Sequence, residues 1–479
     1  MKTPLFTSLM EHKRKNSLSL HVPGHKNGSV FFGPAIKIYK DVLSFDFTEL
    51  TGLDDLHHAE GIIYEAEQLT AKLYGVKDTK FLVNGSTVGN LAMILACCRP
   101  GETILVQRNS HKSIINGIKL AGARPVFLNP IIDERLDVPS YVNYETIKIA
   151  LETFPFAKAI ILTNPNYYGL AIDLTSIVNL VHSYDIPVLV DEAHGAHFLL
   201  GKPFPKSAIS AGADVIIQSA HKTLPAMTMG SYLHFNSTLV NKEKLFYYLT
   251  VLQSSSPSYP IMASLDLARA FLQEIVEKGY KDNILKNLTV IKEYLHATGK
   301  FIIVNSNDKH VYMDPLKLTI KSSEGLTGLE LLHFFEKHNI YGELSDPTKL
   351  LLVLPLSAED SIVDKLKNVN FNNVKSLGRR EHIAKANTIQ LTEFISSLEK
   401  SYSELEEFKK QQVPLSESLG LIAAESIVPY PPGIPLIMEG ERITEQLIEQ
   451  LTELVRVGIN IQGDKHIRTG NILVYNESR

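Results

Sequence analysis

The sequence is poor in cysteine and lacks both a long apolar run and a strong net charge. Two of its 479 residues are cysteines, and Cys97 and Cys98 are adjacent, so they cannot staple distant segments together. We expect both to be core thiols of a protein in a reducing compartment. No apolar run approaches the roughly 18 residues that a membrane-spanning helix needs. Residues 1–17 lack the apolar segment of a secretory signal, so we predict a cytoplasmic protein without a membrane partner.

Neither sign of charge dominates the chain. Its 48 basic and 52 acidic residues leave a net charge of -4 at neutral pH. Domains that bind nucleic acid usually carry a basic patch or stripe, which this balance does not indicate. We therefore expect no nucleic-acid partner.

The middle of the chain shows the alternation of short apolar stretches and longer helical ones that is typical of α/β proteins. The predicted strands lie at residues 80–83, 103–106, 124–128, 159–162, 188–190, 214–218 and 232–235. The early strands are separated by predicted helices at residues 87–98, 111–121, 144–154 and 174–183. Strands without strict alternation, separated by helices, indicate a mostly parallel seven-stranded sheet with helices on both faces.

We predict three segments along the chain. Residues 1–59 form an N-terminal arm, irregular from about residue 20 to 56, residues 60–290 form the large α/β domain, and residues 291–479 form a smaller α+β domain. One or two helices cover residues 265–296 and lead into this last domain. Its predicted elements are strands at 301–304 and 350–353 and helices at 328–337 and 389–410. The charged stretch at 399–410 is predicted as a solvated helix face.

Two loops after predicted strands carry residues suited to a phosphate and a planar ring. Gly85, Ser86 and Thr87 open a helix directly after the first strand, and a helix start offers unpaired N–H groups to an anion. A plain helix cap is the alternative reading of this loop. After the second strand, His111 could stack on a planar cofactor; alternatively, Ser110 caps the next helix and His111 is an exposed first-turn residue.

The strand at residues 188–190 leads into the string Asp191-Glu192-Ala193-His194. A carboxylate at a buried strand end is costly unless it meets a positive charge, so Asp191 indicates a cationic ligand, an ion pair or a metal. Asp191, His194 and His197 could bind a metal, but no further ligand cluster is evident, and we expect none. The string is similar to the DEAH box of helicases, but the phosphate loop that such a motor needs is absent upstream.

The strand at residues 214–218 is followed by Ser219, His221 and Lys222. A lysine just past a buried strand is unusual, and desolvation would depress its pKa and make the neutral amine a nucleophile for aldehydes. Ligands of open α/β sheets bind where strands end and helices begin, so the four loops point toward one crevice. Together they predict a pyridoxal 5'-phosphate site, with a phosphate cradle, a stacking histidine, an aspartate for the pyridine nitrogen and a Schiff-base lysine.

At these motifs the sequence resembles the ornithine/lysine/arginine decarboxylase family of fold type I pyridoxal phosphate enzymes, over nearly the whole chain. Residues 21–28 are similar to the family's N-terminal PGHxxG signature, and residues 219–226 closely resemble its cofactor-lysine signature. Shorter strings at residues 49–56, 256–259 and 430–435 also match. The chain starts directly at the arm, as do the compact members from Gram-positive bacteria, among which arginine decarboxylase is known.

The resemblance implies a role for each candidate residue. Lys222 would form the Schiff base, Asp191 would pair with the pyridine nitrogen, and His111 would stack on the ring. His194 would lie beside the ring near its phenolate side, and Glu343 is a candidate for the substrate's distal cation. The phosphate would be held by Ser86, Thr87, Ser219 and His221. Since the family usually works as a dimer with the active site near the subunit boundary, we expect a homodimer or a higher homo-oligomer.

Two positions depart from the family pattern. Where the family often has glutamine, in HKxLxxLTQ, this chain has Met229, which lacks the amide of that glutamine. The usual PGE near the C-terminus is replaced by Glu439-Gly440-Glu441, in the loop after Pro435. Neither change touches the core cofactor residues.

The resemblance implies decarboxylation of a basic amino acid, with arginine giving agmatine for polyamine metabolism favoured over lysine or ornithine. The electrons of the Cα–carboxylate bond would pass into the cofactor ring as CO₂ leaves, and His221 or Lys222 would return a proton to Cα. Two alternatives stay open because a fold does not fix a reaction. One is another pyridoxal phosphate reaction, such as transamination or aldol cleavage, and the other is a decarboxylase-like regulator without turnover.

Overall fold

The computed structural model of the chain describes residues 1–359, 361–371, 394–430, 434–457, 460–462 and 466–477. Its α-helices are α1 (Pro4–Arg14), α2 (Gly33–Leu43), α3 (Ile62–Tyr74), α4 (Gly85–Cys97), α5 (Lys112–Ala121), α6 (Tyr144–Thr153), α7 (Thr175–His182), α8 (Ala208–Ala211), α9 (Ala220–Thr223), α10 (Lys242–Leu252), α11 (Tyr259–Lys278), α12 (Lys281–Ala297), α13 (Gly328–Glu336), α14 (Ser361–Lys367), α15 (Tyr402–Leu405) and α16 (Glu445–Val457). No helix in these ranges has the length and apolar character needed to cross a bilayer.

The strands of the described residues belong to several sheets. They are β1 (Asp78–Leu82), β2 (Thr103–Gln107), β3 (Arg124–Leu128), β4 (Ile132–Asp133), β5 (Val138–Pro139), β6 (Ile160–Thr163), β7 (Leu170–Ala171), β8 (Val188–Asp191), β9 (Val215–Gln218), β10 (Ser231–Phe235), β11 (Phe301–Ile303), β12 (Tyr312–Met313), β13 (Lys317–Ser322), β14 (Leu344–Ser345), β15 (Leu350–Val353), β16 (Ile395–Ser397), β17 (Lys410–Pro414), β18 (Ile422–Ala423), β19 (Val428–Tyr430), β20 (Asn460–Gln462) and β21 (Asn471–Tyr475).

The chain divides into two compact units. The first unit comprises Met1–Cys97, Asp173–Lys202 and Lys206–Asp282. The second comprises Cys98–Ile172, Pro203–Pro205 and Asn283–Arg479. The domain boundaries expected from the sequence, after residues 59 and 290, stay a prediction.

The first unit contains four strands in the order β1, β10, β9, β8. β8 and β9 are parallel, with Leu189 opposite Val215, whereas β10 is antiparallel to both β9 and β1. Every residue of β8, β9 and β10 is buried, as expected for strands covered on both faces. α4 packs against β1, β9 and β10, and α3 and α11 pack against β1. This packing leaves the ends of β8 and β9 next to the start of α4.

The second unit carries three parallel strands in the order β6, β2, β3, with Leu105 opposite both Val126 and Ile160. β16 is antiparallel to β3 and forms an edge. An antiparallel sheet with the order β11, β13, β15, β14 packs against α13. A third sheet, β17, β21, β18, belongs to an apolar core with α16 that includes Leu451 and Val474.

Local sequence signals account for several helix boundaries. α13 begins with a capping box, in which the Thr327 side chain accepts the N–H of Glu330 and the Glu330 carboxylate accepts the N–H of Thr327. α11 is capped by Ser258 and has a proline in its first turn. α3 ends at Gly75, whose φ of 70° is the left-handed conformation that glycine adopts most easily.

The predicted α/β fold is confirmed, and all seven predicted strands are present. Four of them lie in the first unit and three in the second, and all but β10 run in one direction within their unit. The four helices predicted between the early strands correspond to α4, α5, α6 and α7 within two residues at each end. The helical stretch at residues 265–296 consists of two helices, α11 and α12.

Three expectations were wrong. The helix expected at residues 389–410 begins outside the described residues, and from residue 394 the chain forms β16, α15 and β17 instead. Ile395 pairs with Leu128 at the edge of β3, so tertiary pairing overrides the local helical pattern. The arm that we expected to be irregular contains α2, started by Gly33-Pro34. Of the two cysteines expected in the core, Cys98 is buried but Cys97 is only half-buried, and neither forms a disulfide.

Candidate active site

Three serine hydroxyls meet at the N-terminus of α4 in the first unit. Ser86 Oγ lies 2.6 Å from Ser219 Oγ and 3.2 Å from Ser231 Oγ. Ser219 follows β9, Ser231 begins β10, and Ser86 stands in the first turn of the 13-residue helix α4. Hydroxyl donors next to the free N–H groups of a helix start suit a phosphate group. Thr87 lies beside Ser86 on the same turn and is exposed.

The backbone of residue 229 holds the start of α4 in place. Gly85 has a φ of 76°, and its N–H donates to the Met229 carbonyl at 3.0 Å. Met229 itself has a φ of 79°, which is rare for a residue with a Cβ. Its side chain is exposed, and its carbonyl is the group that contacts the start of α4.

Lys222 lies beside an imidazole. Its Nζ is 3.1 Å from Nε2 of His194, which is buried at the turn after β8. Lys222 belongs to the short helix α9, whose N-cap is Ser219. As a residue of the single chain Lys222 is exposed, which contradicts the burial by which we expected its amine to be activated. The neighbouring histidine is the feature that distinguishes this lysine.

His221 is fixed through one ring nitrogen. Its Nδ1 donates to the Gly230 carbonyl at 2.9 Å, and its backbone N–H reaches the same carbonyl at 3.2 Å. The bond to a carbonyl requires a proton on Nδ1. Any proton transfer by His221 in this conformation must therefore use Nε2.

Asp191, the last residue of β8, is buried and held by two donors. The N–H of Ala193 donates to Oδ1 at 3.1 Å, and Nδ2 of Asn90 donates to Oδ2 at 3.0 Å. Sequence analysis missed Asn90 as a functional candidate. Its position four residues after Ser86 was the available signal, because residues i and i+4 share one face of a helix.

Glu192 points into a separate, fully buried polar chain. Its carboxylate accepts from the N–H of Ala208, the hydroxyl of Ser207 and Nε2 of Gln218. Gln218 Oε1 in turn accepts from His234 Nε2, because an amide oxygen can only accept. Burial lowers the pKa of His234 to about 3 and leaves it neutral. Burial also raises the pKa of Glu192 to about 7. This chain ties the ends of β8 and β9 together, at Glu192 directly after Asp191 and at Gln218 four residues before Lys222.

No metal cluster was detected in the described part of the chain. No three or more His, Cys, Asp or Glu side chains there converge to hold an ion.

The first unit brings four of the predicted residues together in two contacting pairs. Ser86 contacts Ser219, and Lys222 contacts His194.

His111 and Glu343 belong to the second unit. The N-cap of α5 is His111 and not Ser110. Nδ1 of His111 accepts the N–H of Ser113 at 3.3 Å and contacts the Ser113 hydroxyl at 2.8 Å. Glu343 is exposed and accepts a hydrogen bond from the hydroxyl of Tyr167. Each of these two residues stays a prediction as a ligand-binding group.

Both unusual glutamates of the 439–441 string have structural partners in the second unit. Glu441 forms a bidentate pair with the buried Arg108, at 2.7 and 2.6 Å. Glu439 pairs with Lys119 and Lys410. The loop after Pro435 is therefore anchored by ion pairs; the part of the matching string at residues 431–433 lies outside the described residues.

The family string at residues 49–56 forms a capping loop. Oδ2 of Asp54 accepts the N–H groups of Gly61, Ile63 and Tyr64, at 2.8, 3.0 and 3.2 Å, at the start of α3. Oδ1 of Asp55 accepts the N–H of His57 at 2.8 Å. These polar residues thus serve as a hydrogen-bonded loop.

Comparison with known proteins identifies the same family in both parts of the chain. The family description "Orn/Lys/Arg decarboxylase, major domain" matches residues 3–308, and "Orn/Lys/Arg decarboxylase, C-terminal domain" matches residues 381–462.

Relatives of similar length exist in Bacillus subtilis strain 168. The uncharacterized protein YaaO is 49% identical over 100% of this chain and 99% of its own. A protein named arginine decarboxylase is 35% identical over 100% of this chain and 99% of its own. Among solved structures, the lysine decarboxylase LdcF of Francisella novicida has a TM-score of 0.80 at 21% identity, over 99% of this chain and 81% of that one. At this identity the last likeness concerns the fold.

Proposed function

This chain belongs to the Orn/Lys/Arg decarboxylase family, and we propose that it decarboxylates L-arginine to agmatine with pyridoxal 5'-phosphate as cofactor. The family and fold support a pyridoxal phosphate-dependent amino acid decarboxylase. The choice of arginine rests on the full-length similarity to the Bacillus arginine decarboxylase, with lysine and ornithine as the next candidates. A cytoplasmic location and a role in polyamine biosynthesis stay predictions.

The residues of the first unit fit this cofactor chemically. The hydroxyls of Ser86, Ser219 and Ser231 at a helix start suit its phosphate, and the buried carboxylate of Asp191 suits a protonated ring nitrogen. Lys222 Nζ, beside His194 Nε2, carries this proposal because an aldehyde needs an amine that can lose its proton.

Each residue has a distinct proposed task. Bound pyridoxal phosphate would supply an aldehyde and an electron-accepting ring. Lys222 would hold the cofactor, and Asp191 would keep a proton on its ring nitrogen by accepting a hydrogen bond. His194 Nε2 would share a proton with Lys222 Nζ across 3.1 Å, and either Lys222 or His221 Nε2 would deliver a proton to Cα.

Three further residues have roles that the family resemblance implies. Thr87 would add a hydroxyl to the phosphate cradle, His111 would stack on the ring, and Glu343 would take the distal cation of the substrate. These assignments rest on the family resemblance of the sequence. The exposed carboxylate of Glu343 and the exposed first-turn position of Thr87 leave both accessible in the single chain.

The reaction is tested by product identification. Protein purified with pyridoxal phosphate is incubated separately with arginine, lysine and ornithine, and the amines are identified by mass spectrometry. We expect agmatine from arginine, and no product from Lys222→Ala. Lys278→Ala, a substitution of an exposed lysine on α11, is the matched control and should keep full activity. Wild-type turnover by Lys222→Ala, or keto acid instead of amine, would refute the proposal.

We extend the proposal to a homodimer, supported by an exposed apolar arm between residues 18 and 42. Leu20, Phe32 and Ile38 are 84%, 76% and 78% exposed, and α2 buries none of its residues. An apolar surface of this kind is typical of an interface, and a second copy of this chain is the expected partner. Light scattering should give twice the chain mass, and the double variant Phe32→Glu/Ile38→Glu should be monomeric.

The control for this test is Phe156→Glu, which changes an exposed phenylalanine outside the arm. It should leave the dimer intact. A monomeric wild type, or equal dissociation of both variants, would contradict the assignment of the arm as the interface.

A further inference from the structure

One face of α4 carries both a phosphate-cradle residue and a contact to the candidate ring-nitrogen partner. Ser86 lies in the first turn, and Asn90 follows one turn later at i+4 on the same face. The rise between them is about 6 Å along the helix axis. Ser86 reaches Ser219 and Asn90 reaches Asp191, so a single helix contacts the residues after β9 and at the end of β8.

Asn90 determines how the Asp191 carboxylate can be oriented. Asn90 is 1% exposed and Asp191 is 4% exposed, so water does not compete freely for their contact. Oδ2 accepts from Asn90 Nδ2 at 3.0 Å, and Oδ1 accepts from the N–H of Ala193 at 3.1 Å. Because the two donors engage different oxygens, rotation of the carboxylate would break one of the two bonds.

The neighbouring glycine explains how the helix comes close enough for this contact. A Cβ at Gly89 would lie 2.8 Å from Ile217 Cδ1 on β9 and 2.8 Å from Leu82 Cδ1 on β1. α4 therefore packs against the strands at a distance that a larger side chain would not allow. Asn90, the next residue, is carried to Asp191 by this close approach.

We propose that Asn90 is a positioning residue that acts through Asp191 on the ring nitrogen of pyridoxal phosphate. Its amide fixes the plane of the Asp191 carboxylate, so that the hydrogen bond to the ring nitrogen forms without reorganisation. This inference rests on the proposed cofactor and concerns how tightly the apoprotein binds it.

The test is a double-mutant cycle on cofactor affinity. The dissociation constant of pyridoxal phosphate is measured by equilibrium dialysis for wild type, Asn90→Ala, Asp191→Ala and the double variant. A hydrogen bond to a charged group typically contributes enough to weaken binding on the order of tenfold when it is lost. We expect Asn90→Ala to raise the dissociation constant by this factor in the wild-type background. In the Asp191→Ala background the same substitution should change it by less than about twofold, because the effects of coupled residues are non-additive.

A buried amide elsewhere in the chain is the matched control. Asn287 on α12 is 3% exposed, and its Nδ2 donates to the carbonyls of Ser357 and Glu359. Asn287→Ala should lower the melting temperature of the apoprotein without changing the cofactor dissociation constant. If Asn90→Ala does not fold, the near-isosteric Asn90→Asp is used. It replaces the donor by a carboxylate beside Asp191 and should weaken cofactor binding at least as much.

The outcomes separate the inference from the proposed function. If wild type binds pyridoxal phosphate and borohydride reduction links it to Lys222, but folded Asn90 variants bind it equally well, the inference fails alone. Additive losses in the cycle also overturn it, because they would show that Asn90 acts independently of Asp191. If wild type itself binds no cofactor, the proposed function fails first. Non-additive weakening by Asn90→Ala and Asp191→Ala, with an unchanged dissociation constant for Asn287→Ala, supports the inference.

Discussion

Replacing Glu441 with alanine should lower the free energy of unfolding by about 3–5 kcal/mol, because it leaves a buried cation without its countercharge. Arg108 is 3% exposed, and its guanidinium has five N–H donors. Two of them meet Glu441, and the other three contacts go to Pro435 O, Ser396 Oγ and Leu436 O. The neutral acceptors that remain after the change do not balance the charge.

The isosteric variant separates charge from packing. Glu441→Gln keeps the side-chain volume and one acceptor, so we expect a smaller loss of about 1–3 kcal/mol. Urea unfolding of the apoprotein, followed by circular dichroism at neutral pH, measures both variants. Glu453→Gln on α16 is the control, because Glu453 pairs with Arg456 at the exposed surface, and it should cause no measurable change.

The pH dependence of the stability difference between wild type and Glu441→Gln gives a second check. Burial raises the pKa of Glu441, but the charge and hydrogen bonds of Arg108 outweigh burial, so the pKa lies below its ordinary value of 4.5. A carboxyl group whose pKa is lowered by folding contributes stability above pH 4.5 and loses it as the pH falls through the lowered value. The gap between wild type and Glu441→Gln should therefore shrink in acid. A gap independent of pH, or no larger than that of Glu453→Gln, would refute the reasoning.

Three further predictions concern the first unit. Gly89→Leu should lower the free energy of unfolding by about 1–3 kcal/mol, because its Cβ alone would lie 2.8 Å from Ile217 and Leu82 and the rest of the side chain has no room; an unchanged urea midpoint would contradict the close packing. Asp266→Ala should lower the free energy of unfolding by about 3–5 kcal/mol, because Asp266 and Arg269 form a fully buried pair that also binds the start of α1. The variant should also expose α1 to proteolysis, and protection equal to wild type would be evidence against this anchor. Burial raises the pKa of Glu192 from its ordinary value of 4.5 to about 7, so the stability of the folded chain should decline as the pH rises from 4.5 through 7. Glu192→Gln should flatten this decline, and equal slopes for variant and wild type would contradict the prediction.

The central strands could be predicted because their signal is local. β15 lies at residues 350–353, as predicted, and β8 extends only one residue beyond the predicted 188–190. Both are short apolar runs bounded by residues that end a strand, and a strand that is buried throughout, as β8 is, requires little more than such a run. The signal for α4 was also local, because a continuous apolar run from Leu91 to Cys98 follows residues suited to a helix start.

Contacts between distant positions could not be predicted from such patterns. Arg108 and Glu441 are 333 residues apart in sequence, and Asn90 and Asp191 are 101 apart. Nothing in the residues around either partner specifies the other, since a buried polar pair depends on the register of packed elements. The prediction at β16 was wrong for the same reason, because its partner strand β3 lies more than 260 residues earlier in the sequence.

Lys222 shows that flanking residues can identify a functional side chain while leaving its physical environment undetermined. The string around it is enough to single it out in the sequence, but the desolvation expected of it is not a property of the single chain, in which Lys222 is exposed. Its amine lies 3.1 Å from His194 Nε2, so proton sharing with an imidazole is available without burial. A low dielectric around this amine has to be supplied by the proposed cofactor or the proposed second copy.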